Sequence, residues 1–119
     1  MIEIWLNPAC SKCRSAVGAL DAAGAEYVVR RYLDEPPSVD ELRDVVGRLG
    51  LEPWELARRA DAPRLGVTLP PTGPEHREEW LALLSDHPRL VQRPILTASD
   101  RTTVIGRDPE SVARVVAAG

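Results

Sequence analysis

The first 32 residues constrain the chain most. Ile2-Glu3-Ile4-Trp5-Leu6 is a short run of β-branched, apolar and aromatic residues, the pattern of a buried strand. Asn7-Pro8 breaks it. From about Cys10 the chain carries apolar residues at Ala16, Val17, Ala19, Leu20 and Ala23, which is helical spacing, and Gly24 stands where that helix must end. Tyr27-Val28-Val29-Arg30-Arg31-Tyr32 then reads as a second strand. Strand, helix and strand in so short a span make a βαβ unit with a right-handed crossover.

Beyond it, Pro36-Pro37 marks a break. Ser38 followed by Glu41 is a capping-box signature. The helix it starts turns Leu42, Val45, Val46 and Leu49 inward and stops at Gly50. Pro53 suits the first turn of a short helix through Trp54, Leu56 and Ala57, with Arg58 at its end. Residues 60–73 hold Pro63, Gly66, Pro70, Pro71 and Gly73 and read as a loop. Pro74 opens another helix, with Trp80, Leu81 and Leu84 apolar, ending near His87-Pro88. Ile95 to Ala98 and Thr102 to Ile105 form a hairpin across Ser99-Asp100-Arg101. Asp108 is a good N-cap and Pro109 a good first helical residue for a last helix carrying Val112, Val115 and Val116.

The order is β-α-β, a helical stretch, then β-β-α. This is an α/β chain on the thioredoxin-like plan, in which βαβ and ββα halves share one mixed four-stranded sheet. Residues 1–119 are expected to form a single domain of this kind, with a helical insertion at about 38–87.

Composition narrows the function. Charged residues make up 28% of the chain and the net charge is −3, which argues against a nucleic-acid partner. No apolar run approaches the ~20 residues that span a bilayer. Met1-Ile2-Glu3-Ile4-Trp5 lacks the basic and apolar regions of a signal peptide, so the expected compartment is the cytoplasm, with no membrane partner. There thiols stay reduced. The two cysteines, Cys10 and Cys13, close too small a loop to act as a structural staple. His76 and His87 do not complete a four-ligand set with them, so no metal site is expected.

Cys10-Ser11-Lys12-Cys13 lies between a strand and a helix. A cysteine at a helix start faces unpaired N–H groups and the positive end of the helix dipole, and both favour the thiolate, which is the nucleophile. Lys12 and Arg14 add positive charge nearby. Cys10, at the exposed start, is the candidate nucleophile. Cys13, one turn in, is either a resolving thiol or a packed residue. Three arginines adjoin chain breaks: Arg58, Arg93 in Gln92-Arg93-Pro94-Ile95, and Arg107 between the hairpin and the last helix. If the two halves share a sheet, the Arg93 loop faces the Cys10 loop, and a cis Pro94 beside the cysteine fits that plan. Three guanidinium groups around an ionised sulfur make a pocket for a small tetrahedral oxyanion.

Asn7-Pro8-Ala9-Cys10-Ser11-Lys12, Tyr32-Leu33-Asp34-Glu35-Pro36-Pro37, Leu56-Ala57-Arg58-Arg59, His87-Pro88 and Gln92-Arg93-Pro94-Ile95, in this order, resemble the arsenate reductase family of the glutaredoxin-coupled type, which includes Spx-type regulators. The resemblance runs from Ile2 to about Val116. It implies a thioredoxin-like fold with a helical insertion, and reduction of arsenate to arsenite. It also implies glutathione or another low-molecular-weight thiol as co-substrate, a glutaredoxin-like protein as partner, and no bound cofactor. The family's nucleophile falls on Cys10 and its oxyanion-binding arginines on Arg58, Arg93 and Arg107, with Arg59 as the fallback for Arg58.

The chain departs from the family pattern twice. Leu6 stands where members often carry a His that helps to ionise the cysteine, so ionisation here rests on the helix end, Lys12, Arg14 and the arginines. Cys13 creates a CxxC where arsenate reductases of this type often have Ser. A monomeric arsenate reductase-like enzyme is the leading expectation. A redox regulator of Spx type that binds RNA polymerase and a general CxxC disulfide oxidoreductase are the alternatives.

Overall fold

The structure, a computed structural model, describes residues 1–118. The chain divides into two compact units: Met1–Glu35 with the segment from Arg93 onward, and Pro36–Gln92.

The first unit is built on a four-stranded sheet. β1 (Ile2–Leu6) runs parallel to β2 (Tyr27–Arg31) and antiparallel to β3 (Ile95–Thr97), which pairs antiparallel with β4 (Thr103–Ile105). The order is β2-β1-β3-β4. α1 (Ser11–Ala22) makes the crossover from β1 to β2, and α5 (Pro109–Ala118) follows β4. This is the thioredoxin-like arrangement, with βαβ and ββα halves sharing one mixed sheet.

Period-2 alternation in β1 sends Ile2, Ile4 and Leu6 into one apolar cluster with Cys13, Ala16 and Leu20 of α1, Leu96 of β3, Val104 of β4, and Val112 and Val115 of α5. Trp5 faces the opposite way, its Nε1 donating to Glu3 Oε1 at 2.9 Å and the Arg30 guanidinium lying over its ring. β2 is an edge strand, and Val28 and Val29 are exposed despite their apolar character. Gly24, at φ +67°, turns the chain out of α1, after Ala23 rather than at the glycine itself.

The second unit holds α2 (Val39–Leu49), the single-turn α3 (Pro53–Leu56) and α4 (Arg77–Asp86), with 3₁₀ turns between α3 and α4 and after α4. The capping box of α2 is formed: Glu41 N–H donates to Ser38 Oγ at 3.1 Å, and Ser38 N–H to Glu41 Oε1 at 3.0 Å. Leu42, Val45 and Val46 are buried, with Trp80, Leu81 and Leu84 of α4 and Leu56 of α3, while Leu49 is only half-buried. Arg77 grips Glu52 with two bonds of 2.7 Å, and Trp80 Nε1 donates to Pro71 O at 2.9 Å. Among the described residues no helix is long and apolar enough to cross a membrane.

One glycine in the first unit is required by close approach. A Cβ on Gly106 would lie 2.4 Å from Leu96 Cδ1, 3.4 Å from Val112 Cγ2 and 3.5 Å from Pro94 Cγ. Leu96 is fully buried and has little room to yield. Gly18, in the exposed middle of α1, meets nothing within 4 Å. Gly106→Ala is therefore expected to cost about 1–3 kcal/mol through overpacking. Gly18→Ala is expected to stabilise by about 0.5–1 kcal/mol through helix propensity. Urea unfolding of the two variants beside the parent checks the opposite signs.

Candidate functional site

The site is assembled where β1 hands the chain to α1. Asn7 builds the turn: its Oδ1 accepts from Ala9 N–H at 3.0 Å and its carbonyl accepts from Cys10 N–H at 2.9 Å. Pro8 and Ala9 are exposed at its tip. Cys10 takes extended backbone angles as the N-cap of α1, and its carbonyl accepts the helix's first bond, from Arg14 N–H at 3.1 Å. No neutral side-chain cap closes this helix start, and no acidic residue occupies its first turn. The group best placed to answer the exposed N–H dipoles is an ionised Cys10 sulfur.

Partial burial pushes the Cys10 thiol up. It is outweighed by hydrogen bonds to the thiolate from the Cys13 N–H, the Arg93 side chain, the Cys13 thiol and the Lys12 N–H, which bring the value down to about 7. Cys13 behaves oppositely. Burial raises it to about 11, the negative charge of Cys10 adds to the rise, and the Asn7 N–H, 3.5 Å from Cys13 Sγ, works against it. At neutral pH the pair is thus one reactive thiolate beside one buried thiol.

Arg93 and Pro94 come from the other half of the sheet, immediately before β3. The Arg93–Pro94 peptide is cis, as expected for this plan, and Pro94 is buried. Arg107, in the short link from β4 to α5, is exposed, and its Nη1 donates to the Arg93 carbonyl at 3.1 Å. Asp108 caps α5 as expected, accepting from Ser111 N–H at 2.8 Å. Lys12 of α1 and Arg107 ahead of α5 both line a cavity of about 230 Å³ between α1 and the start of α5. The structure therefore brings together Cys10, Cys13, Arg93, Arg107, Lys12 and Pro94.

Two expectations need correction. Arg58 does not end a helix: α3 stops at Leu56, Ala57 is extended, and Arg58 precedes a 3₁₀ turn over Arg59–Asp61. It belongs to the second unit, where its Nε pairs with Asp61 Oδ2 at 2.9 Å and its N–H donates to Leu90 O at 2.6 Å. Arg58 is half-buried, whereas Arg59 is exposed. Second, Lys12 aids Cys10 through its backbone N–H, and the Arg14 guanidinium turns to the Pro8 carbonyl at 3.5 Å. Of the groups expected to ionise the sulfur, the helix end and Arg93 act on it directly.

In the sequence Asn7 reads only as a strand breaker, but it also orders the turn, and its N–H donates to Cys13. Its signal was present as Asn-Pro, a turn-initiating pair. Leu6 is buried in the apolar cluster. Among the described residues, no cluster of three or more His, Cys, Asp or Glu side chains gathers where a metal ion could be held.

Residues 5–115 match the family model described as the ArsC family. The chain belongs to the ArsC family. It is 56% identical over 113 residues to the uncharacterized protein in the glnII region of Streptomyces viridochromogenes, covering 93% of this chain and 95% of that one. It is 35% identical over 118 residues to an arsenate reductase of Neisseria meningitidis, covering 97% of both. The structure of an arsenate reductase from Vibrio cholerae aligns with a TM-score of 0.78 at 30% identity, covering 96% of both chains.

In this ArsC family chain the ionisation of Cys10 sets its reactivity. The rate of Cys10 alkylation by iodoacetamide, followed from acid to alkaline pH, is expected to rise through a midpoint near 7 and then level off, because the thiolate gains population as the pH rises past the lowered value. Arg93→Ala removes a donor to the thiolate, and the midpoint is expected to move upward, towards that of a free thiol.

Proposed function

We propose that this chain is an arsenate reductase working through Cys10. The observation that carries the reading is a thiolate at a helix start, bonded by Arg93, whose carbonyl in turn holds Arg107. A thiolate with donors on one side is suited to attack the centre of a tetrahedral oxyanion while guanidinium groups neutralise its oxygens. Always-charged, forked arginines match such an anion better than lysines do.

In this reading arsenate lies against Arg93 and Arg107. Cys10 Sγ attacks arsenic, one oxygen leaves as water after protonation, and the product is a Cys10–S–As(V) adduct. Two electrons must then reach arsenic, and thiols supply them by ending as a disulfide. Arsenite leaves and Cys10 returns to the thiolate. Glutathione or another low-molecular-weight thiol and a glutaredoxin-like protein are the proposed donors, in a reducing cytoplasmic setting, with the chain acting as a monomer. Arg58 is the proposed third oxyanion ligand, on the strength of the resemblance alone.

The test is arsenate-dependent NADPH oxidation in a coupled thiol assay. Cys10→Ser is expected to abolish turnover. Arg93→Ala and Arg107→Ala are each expected to lower kcat/KM by about 10²–10³, the range for losing one transition-state donor. Arg58→Ala in the same series decides whether the third arginine takes part. Absence of turnover by the parent protein with every thiol system rejects the reading.

A further inference from the structure

Reduction of the adduct raises the question of where the electrons come from, and the chain carries a source. Cys10 and Cys13 are both free thiols, at the N-cap and the third residue of α1. The Cys13 thiol hydrogen-bonds the Cys10 sulfur. Cys13 is 1% exposed and packs with Ile4, Leu6, Ala16 and Leu20 in the apolar cluster, so no reagent in solution reaches it easily. The thiol beside it is Cys10. The Asn7 N–H, 3.5 Å from Cys13 Sγ, points at the place where negative charge develops whenever this sulfur attacks or leaves.

Resting on the reading above, we infer that Cys13 is the internal reductant of the Cys10–S–As(V) adduct. Its sulfur attacks the Cys10 sulfur, a Cys10–Cys13 disulfide forms, and the S–As bond breaks. The electron pair of that bond leaves with arsenic, which becomes As(III). The two cysteines together lose the two electrons that arsenic gains, and the thiol proton of Cys13 passes through water to an arsenite oxygen. The external thiol then never meets arsenic. It attacks the more accessible Cys10 sulfur of the disulfide, expels Cys13, and a second thiol frees Cys10. An internal thiol within hydrogen-bonding reach enjoys an effective concentration that dissolved thiols cannot match.

The experiment is a single turnover without added thiol. Fully reduced protein, freed of reductant under anaerobic conditions, is mixed with excess arsenate. The expected result is stoichiometric As(III), loss of both thiols on titration in denaturant, and a peptide carrying an intact Cys10–Cys13 disulfide by mass spectrometry. Cys13→Ala, chosen because a small apolar residue suits the cluster, is expected to reduce thiol-free As(III) to background, as is Cys10→Ser. If the parent protein yields no As(III) and keeps both thiols, yet turns over once glutathione and glutaredoxin are added, the inference is overturned while the arsenate reductase reading stands. If no thiol system supports turnover, both fall together.

Discussion

The site depends on the handover from β1 to α1, where four residues convert a buried strand into a helix start. Asn7 closes the turn with its side chain and backbone, and Cys10 is left as the N-cap with the N–H groups of Lys12 and Cys13 directed at its sulfur. Hydrophobic packing fixes both ends of this turn. Leu6 anchors the strand and Cys13, Ala16 and Leu20 anchor the helix in the same cluster. The polar chemistry at the tip is therefore held by an apolar frame, which keeps its geometry against the repulsion among nearby cations.

Arg93 ties this N-terminal turn to the ββα half. Its loop leads into β3, which pairs with β1, so the register Trp5↔Ile95 sets the distance between guanidinium and sulfur. A side chain and a thiolate more than eighty positions apart are thus brought together by backbone pairing, without needing a strong attraction of their own.

Most of the first unit could be read from local patterns. The apolar run Ile2–Leu6, the Asn-Pro break and the Asp108-Pro109 cap each act over a few residues, and each appears where the pattern placed it, while α1 ends just ahead of Gly24. Ser38 and Glu41 did the same for α2. What escaped the sequence depends on distant partners. α3 ends early because Ala57 bridges to Val91 and Gln92 N–H donates to Leu56 O, contacts across more than thirty residues that no local periodicity records. Val28 and Val29 look like interior residues, and only the strand order reveals an exposed edge. Among the charges expected to act on Cys10, Arg93, from the far half of the sheet, is the side chain that bonds the sulfur, while Lys12 acts through its backbone N–H.

Gly106 carries a different lesson. The chain passes so closely over Leu96 that only a bare α-carbon fits, and the next residue is Arg107. The height at which that guanidinium stands above the sheet is therefore set by the girth of a buried leucine. Changes to the hydrocarbon beneath, made without altering a single charge, can therefore shift the link that carries this guanidinium.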